Sequence, residues 1–340
     1  MSKKFNIAVV GATGNVGRKV ISILAEREFP VDNLYALASN ASKGKKISFG
    51  EDAVLTVESL DNFDFKKANI VFSCVSSDIV KTFYKKAIAA GCSIIDKSSL
   101  FRMDEDVPLI VPEVNEHLLI NNANNNRIVA SPNCCVIPLV TVLSPLHSAA
   151  KIKRIVVSTY QSVSGAGKEF MDELYNQTKS SFMPDKSAPA KFEKQIAFNI
   201  IPKIDKFLED GSTGEEQKII EETKKILGAN IGVSATCVRV PVFIGHSLSV
   251  NVEFEGKLSQ SEAIEILEES EGIAVVSDDS ELKYITPVEA AGEDLVYVSR
   301  IREDKSRPNC LNLWIVSDNL RKGAATNAVQ IAELIARITD

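Results

Sequence analysis

Two adjacent cysteines, Cys134 and Cys135, stand in the run Ser131-Pro132-Asn133-Cys134-Cys135-Val136. The strand-like segment Arg127-Ile128-Val129-Ala130 precedes them and a long apolar, helix-like segment follows. A thiol at the start of a helix sits where the dipole and free backbone amides favour a thiolate and can hold an oxyanion. That is the setting of a covalent nucleophile. Two neighbouring side chains are not expected to project into one site. One cysteine would act and the other pack, and buried packing is the alternative for each. The chain has 3 histidines. His117 reads as an exposed helix residue, and His147, late in the apolar helix, as structural or surface. His246 follows Val240-Pro241-Val242-Phe243-Ile244-Gly245, which places an imidazole at a turn beside a strand end. It reads either as an acid–base group or as a hydrogen-bonded structural histidine.

A second chemistry is written at the start of the chain. The apolar run Phe5-Asn6-Ile7-Ala8-Val9-Val10 leads into Gly11-Ala12-Thr13-Gly14-Asn15-Val16-Gly17, and a helix is expected from Arg18 to Glu28. In a strand–turn–helix context such glycines let the backbone turn tightly and approach a pyrophosphate at the helix N-terminus. The spacing is G-x-x-G-x-x-G rather than G-x-G-x-x-G, with a plain tight turn as the alternative. The next strand, Leu34 to Ala38, runs into Ser39-Asn40-Ala41-Ser42-Lys43-Gly44-Lys45-Lys46. This loop has hydroxyls, an amide and lysines but no carboxylate to hold a ribose 2′-OH, so NADP is expected over NAD. The alternative is a solvated basic loop.

These groups must be carried by a sizeable framework. The chain has 340 residues, 45% of them hydrophobic and 25% charged, with net charge -6. Its isoelectric point is near 5.4 and its mean hydropathy +0.02. Such a composition belongs to globular proteins and excludes wholesale disorder, fibres and a polytopic membrane protein. A transmembrane helix needs ~20 apolar residues; the richest stretch, Cys134 to Leu146, is broken by Pro138 and Pro145. No basic stripe suggests nucleic acid, no signal peptide is expected, and the 6 cysteines form no CxxC pair or metal-binding knot. A reduced, cytoplasmic protein is expected. The strands Ile70–Val75 and Ser93–Asp96, with a helix Asp78–Ala90 between them, continue a βα alternation that implies a doubly wound parallel sheet. The asparagine-rich stretch from Asn121 to Arg127 is a candidate boundary. Beyond it, longer runs (Lys153–Gln161, Val233–Val242, Ser247–Glu255, Leu295–Ile301 and Leu311–Val316) read as antiparallel strands with one face buried. Helices are expected over Gly167–Lys179, Glu215–Leu227, Gln260–Glu269 and Ala324–Arg337, and loops over Asp185–Ala190 and Asp210–Gly214. The expected fold is α/β: a Rossmann-type domain over 1–130, completed by a C-terminal helix in 321–340, and an α+β catalytic and dimerisation domain over 131–320.

From end to end the chain resembles the bacterial aspartate-β-semialdehyde dehydrogenases. The resemblance is carried by the glycine loop, Phe101-Arg102-Met103, Val111-Pro112-Glu113-Val114-Asn115 and Pro132-Asn133-Cys134. It continues in Tyr160-Gln161-Ser162-Val163-Ser164-Gly165-Ala166-Gly167, Ala235 to Pro241, Gly245-His246-Ser247 and Trp314 to Ala324. It implies NADP-dependent interconversion of aspartate semialdehyde plus phosphate with aspartyl phosphate, in the synthesis of lysine (through diaminopimelate), threonine, isoleucine and methionine. Cys134 then matches the nucleophile that passes through a thiohemiacetal and a thioester, and His246 the acid–base group. Gln161 matches a residue that orients the substrate and thioester. Arg239 matches the clamp on the substrate carboxylate, Glu215 the residue facing its amino group, and Arg102, Lys218 and Asn133 the phosphate site. Gly11, Thr13, Gly14, Asn15, Val16, Ala41 and Ser42 match positions on the dinucleotide, and Ser164, Gly165 and Asn319 positions around the nicotinamide. No metal is implied, and a homodimer is.

Three departures stand out. An arginine common in the 2′-phosphate loop is replaced by Ala41, a glutamine after the nucleophile by Pro138, and a serine by Cys135. Ala41 leaves NADP preference to Ser39, Asn40, Ser42, Lys43 or Lys45. Pro138 bears on where the following helix starts. Without the resemblance, Glu215 and Lys218 read as a solvated helix pair and Arg239 as a surface salt-bridge residue. An N-acetyl-glutamyl-phosphate reductase and a non-catalytic dinucleotide-binding sensor are the rival readings. Gln161, Arg239 and the Glu215/Lys218 pair speak against the first, and the intact thiol–imidazole set against the second.

Overall fold

The computed structural model describes residues 3–51, 53–121, 127–183, 191–228, 230–276 and 283–339. The expected loop at 185–190, and all of the asparagine-rich stretch but its ends, lie outside these residues. The chain divides into two compact units, Met1–Asn133 with Ala324–Asp340, and Cys134–Gly323.

In the first unit, β1 (Phe5–Val10) leads to α1 (Asn15–Glu26), β2 (Val31–Ala38), a hairpin of β3 (Lys46–Phe49) and β4 (Ala53–Thr56), and β5 (Glu58–Ser59). Then come β6 (Ile70–Ser73), α2 (Ser77–Ala89), β7 (Ser93–Asp96), α3 (Pro112–Asn121) and β8 (Ile128–Ala130). The main sheet has the order β5-β2-β1-β6-β7-β8 and its strands pair in parallel. Ile7, Ala8, Val9 and Val10 are all buried, as continuous apolar strands are when both faces of a parallel sheet are covered. Helix α1 starts at Asn15, before the expected Arg18, because Gly14 takes an extended N-cap conformation (φ -78, ψ 169) directly after the turn. It stops short of Glu28, whose φ of 50 is left-handed and cannot continue a helix.

In the second unit, α4 (Val136–Ala150) is followed by β9 (Ile152–Gln161), α5 (Lys168–Ser180), α6 (Gly214–Leu227), β10 (Gly232–Arg239) and β11 (His246–Phe254). Next are α7 (Gln260–Glu268), β12 (Ile273–Val275), α8 (Pro287–Ala290), β13 (Val296–Glu303) and β14 (Cys310–Ser317). The sheet order is β10-β9-β11-β14-β13-β12. It is mixed, not antiparallel throughout: β10 runs parallel to β9 and β12 parallel to β13. The connection between β9 and β10 contains α5 and α6, the kind of long crossover a parallel pair needs. Register then brings chemistry to one end of the sheet. Arg239 pairs with Gln161 at the ends of β10 and β9, and His246 pairs with Ser317 where β11 begins and β14 ends. Helix α4 is buried over most of its length. Pro138 falls in its first turn, where a missing N–H costs nothing, so it does not disturb the helix start.

A π-helical turn, Arg321–Thr326, precedes α9 (Asn327–Thr339), so the regular helix begins later than the expected Ala324. Val329, Ile331, Leu334 and Ile335 on α9 enter the same apolar cluster as Ile21 and Leu24 of α1. Burying each such side chain contributes roughly 1.5–3 kcal/mol. Glu333 grips Arg27 through two hydrogen bonds of 2.7 and 2.8 Å.

Candidate active site

Cys134 is half-buried, and Cys135 is a fully buried N-cap of α4. The expectation that only one thiol can face a site is overturned. The sulfurs of Cys134 and Cys135 and a ring nitrogen of His246 lie within 4.8 Å of one another. The chain is coiled here, with Cys135 at φ -90, ψ -30, so successive side chains diverge by about 100° rather than pointing to opposite faces as on a strand. The Cys135 thiol donates to the Cys134 sulfur, and the nearby His246 and Arg239 add to it. Together they hold the Cys134 thiol well below its ordinary value against the opposing pull of burial. Burial and its bond to Cys134 push Cys135 well up. Burial also pushes Cys74 and Cys237 up to about 12 and Cys92 up to about 11. Cys134 is thus the one described cysteine whose thiol is shifted toward the nucleophilic thiolate.

His246 is the first residue of β11, at a strand end as expected, and it is fully buried. The turn is at Gly245 (φ 95), where a Cβ would lie 2.8 Å from Pro287 Cβ. His246 Nδ1 accepts the Ser162 backbone N–H at 3.1 Å and lies 3.1 Å from Ser162 Oγ. Accepting at Nδ1 assigns the ring proton of the neutral imidazole to Nε2. Nε2 is buried with no hydrogen-bond partner among the described residues. With Nδ1 occupied, Nε2 is the nitrogen free to serve the thiols. Ser162 Oγ donates to Asn319 Oδ1 at 3.0 Å, and Gly245 N–H donates to the same oxygen at 2.9 Å. The Ser162 hydroxyl can turn to accept from Nδ1 when the ring gains a second proton. Asn319 Nδ2 donates to Ser164 Oγ at 3.0 Å. Ser162 was not among the expected site residues, although it lies between Gln161 and Ser164.

Gln161, Glu215, Lys218 and Arg239 belong to the same unit, and three of them form one network. Gln161 Nε2 donates to Glu215 Oε1 at 3.2 Å, and Lys218 Nζ donates to Glu215 Oε2 at 3.3 Å. Glu215 is only 7% exposed, so it is not half of a solvated pair. Lys218 also donates to Asp205 Oδ2 at 2.8 Å. Burial works against the Lys218 charge, but Glu215 and Asp205 outweigh it and raise its pKa. Asp205, which the sequence did not single out, has a left-handed φ of 69 and lies against Gly214, whose Cβ would meet its carboxylate oxygen at 2.8 Å. Arg239 is buried and donates from Nη1 to the Ser162 carbonyl at 2.7 Å, so it is no surface salt-bridge residue. A Cβ on Gly165 would lie 3.3 Å from His246 Nε2 and 3.4 Å from Arg239 Nη1. The missing side chain keeps clear the space beside imidazole and guanidinium. A cavity of about 220 Å³ reaches Arg239 and Asp205, with Phe170, Phe192 and Ile204 in its wall.

The dinucleotide loop and Arg102 belong to the first unit. Gly11 has φ 85, and a Cβ there would sit 2.6 Å from the Cys74 carbonyl oxygen. A Cβ on Gly17 would sit 2.2 Å from the Gly11 carbonyl oxygen. At Gly14 the only atom near a Cβ among the described residues would be Gly11 O at 3.4 Å, so this glycine leaves space at the start of α1. That N-terminus has no side-chain cap and no acidic residue in its first turn, which suits a pyrophosphate. Ala41 and Ser42 lie in a short 3-10 turn, Asn40–Ser42, and Lys45 Nζ donates to Ser42 Oγ at 3.2 Å. The reading of this loop as free of carboxylates holds only locally: Asn40 Nδ2 donates to Asp61 Oδ2 at 2.9 Å. Arg102 is buried and held by the carbonyls of Lys97, at 2.7 Å from Nη2, and Ser131, at 3.1 Å from Nε. Asn133 is buried immediately before the thiol.

Residues 6–122 match the family described as "Semialdehyde dehydrogenase, NAD binding domain", and residues 143–322 match "Semialdehyde dehydrogenase, dimerisation domain". An aspartate-semialdehyde dehydrogenase of Rickettsia conorii is 57% identical over 98% of each chain. Among solved structures, aspartate semialdehyde dehydrogenase II of Vibrio cholerae complexed with ASA is similar with a TM-score of 0.95. It is 43% identical and 99% of each chain is covered. The Candida albicans enzyme with NADP is 25% identical with a TM-score of 0.76, covering 99% of this chain and 100% of that one.

Proposed function

We propose, for a chain that belongs to the aspartate-semialdehyde dehydrogenase family, that it interconverts L-aspartate 4-semialdehyde plus phosphate and L-4-aspartyl phosphate through a thioester on Cys134. The observation that carries this reading is the depressed Cys134 thiol facing a buried His246 whose Nε2 has no other described partner. In the oxidative direction the Cys134 thiolate adds to the aldehyde carbon, and an imidazolium at His246 gives its Nε2 proton to the forming alkoxide. The neutral ring then takes back that hydroxyl proton as the carbonyl re-forms. Ser162 holds Nδ1 in either protonation state, so the ring need not turn between the two steps. A bound nicotinamide dinucleotide supplies the two-electron acceptor that makes the thiohemiacetal a thioester. Phosphate oxygen then attacks the thioester carbon and Cys134 leaves as the thiolate.

The remaining residues receive roles in the same reading. Arg239 presents paired donors to the substrate α-carboxylate. Glu215, already accepting from Lys218, accepts from the substrate ammonium, and Gln161 orients the carbonyl. Arg102, Asn133 and Lys218 bind phosphate. Gly11, Thr13, Gly14, Asn15 and Val16 receive the pyrophosphate, and Ala41 and Ser42 the adenosine ribose. Ser164, Gly165 and Asn319 meet the nicotinamide. NADP is the favoured dinucleotide: Lys45 and Ser42 offer donors to a 2′-phosphate, while the Asn40 amide covers Asp61. The buried Glu215 carboxylate, bonded to Gln161 and Lys218, favours a substrate with a free ammonium over an acylated one. The match to a dimerisation domain supports a homodimer.

NADP reduction is the test, measured with aspartate semialdehyde plus phosphate, with N-acetylglutamate semialdehyde plus phosphate, and with no aldehyde. Phosphate-dependent turnover of the first alone supports the reading. Preference for the acetylated substrate, or dinucleotide binding with no turnover, overturns it.

A further inference from the structure

We propose that Cys134, Cys135 and His246 form a binding site for a zinc ion, whose occupancy shuts the active site reversibly. Nothing in the thioester chemistry uses an ion, and the cysteine spacing gives no reason to expect one. The fold makes the site by bringing two thiols from the start of α4 to the imidazole that opens β11, with the three donor atoms within 4.8 Å of one another. Zinc bonds of about 2.3 Å to sulfur and about 2.0–2.1 Å to nitrogen put tetrahedral ligand atoms roughly 3.5–3.8 Å apart. Closing the trio around an ion therefore takes about 1 Å of side-chain movement.

His246 Nε2 is buried and has no hydrogen-bond partner among the described residues. Its Nδ1 lies 3.1 Å from Ser162 Oγ, which can accept the Nδ1–H that a metal-binding imidazole carries. For Nε2 to bind, the ring proton moves to Nδ1, which gives up the Ser162 backbone N–H and donates instead to Ser162 Oγ, so the neutral ring stays oriented. Both thiols give up their protons as the ion binds. Two thiolates neutralise the divalent charge, so the filled site adds no net positive charge beside the buried Arg239. Cys134 is half-buried rather than sealed from solvent, and water is the expected fourth ligand. The pair suits chelation better than a disulfide. Adjacent Cα atoms lie about 3.8 Å apart across a trans peptide, closer than the usual 4.4–6.8 Å of bridged cysteines. An ion held there takes the Cys134 lone pair and Nε2 together, so neither can reach an aldehyde.

Zinc affinity of the full-length protein, measured without substrate against a chromophoric chelator, tests the site independently of any turnover. One ion should bind per chain and abolish aldehyde oxidation, and EDTA without a thiol reductant should restore it. With cadmium as probe, the thiolate-to-metal absorbance should fall by about half in Cys135→Ser, and zinc affinity should weaken by more than about tenfold. Cys135→Ala guards against a serine that still coordinates, and should weaken zinc as much. Cys310→Ser should leave affinity and absorbance unchanged. Equal zinc affinity in wild type and both Cys135 variants, an equal loss in Cys237→Ala, or inhibition reversed only by a thiol reductant would overturn the proposal.

Discussion

Beside Cys134, the thiol of Cys135 takes the part a serine hydroxyl could play, as a donor to the nucleophilic sulfur. That gives Cys135 a graded effect on chemistry. Cys134→Ala should abolish turnover while dinucleotide still binds. Cys135→Ser keeps a donor and should stay within about tenfold of wild-type kcat, a barrier change of ~1.4 kcal/mol. Cys135→Ala removes the largest influence lowering the Cys134 pKa. The active form is the thiolate, so kcat/KM falls as pH drops through that pKa. A higher pKa in Cys135→Ala must move the acid limb to higher pH, further than in Cys135→Ser. Superimposable pH profiles for the three proteins would refute this. Much of the residue-level site was legible in the sequence through its resemblance: the motifs around Cys134, Gln161, Arg239 and His246 identify candidates one by one. The Ser162 bond to His246 and the Asp205 bond to Lys218 were not legible. The first joins residues 84 apart in the chain and the second residues 13 apart, and Ser and Asp carry no signal of their partner until the fold supplies it.

The elements position these groups through register at one end of a mixed sheet, where β9, β10 and β14 end and β11 begins. Alternation and apolar runs predict the strands, yet they do not say whether neighbours run parallel. The assumption of antiparallel pairing fails for β9–β10 because direction is set by the helices in the crossover rather than by the strand's own residues. Helix starts were less legible for a similar reason: the cap geometry at Gly14 and the π-helical turn at Arg321–Thr326 depend on backbone placement. The turn that follows β9 is tight against the site. At Gly165 an added Cβ would come 3.3 Å from His246 Nε2 and 3.4 Å from Arg239 Nη1, contacts that need the imidazole and the guanidinium to shift slightly. Gly165→Ala should therefore reduce kcat/KM for the semialdehyde, and Gly165→Val should reduce it further, with little change in thermal midpoint. Unimpaired kinetics in Gly165→Val would show that this space is not used by the reactants.

For the whole molecule, the two arginines proposed to bind anions fall in different units, Arg102 in the first and Arg239 in the second. If each serves its own anion, Arg102→Leu should mainly raise the KM for phosphate, and Arg239→Leu should mainly impair use of the semialdehyde. Arg239→Lys should not rescue, because an ammonium lacks the paired donors of a guanidinium. KM titrations of both substrates on each variant check this; loss of phosphate affinity alone in both would redraw the substrate pose. Cofactor choice belongs to the first unit. Lys43→Glu should weaken NADP more than NAD, read from the two dissociation constants, and equal native efficiency with both would contradict the preference.

The thioester is tested most directly by mixing the enzyme with NADP and aspartate semialdehyde in the absence of phosphate, quenching in acid, and mapping the acylated peptide by mass spectrometry. One aspartyl group per chain should be found on Cys134 and should disappear when phosphate is added before the quench. An acyl group on Cys135, or full NADP reduction with no acyl-enzyme, would contradict a thioester at Cys134.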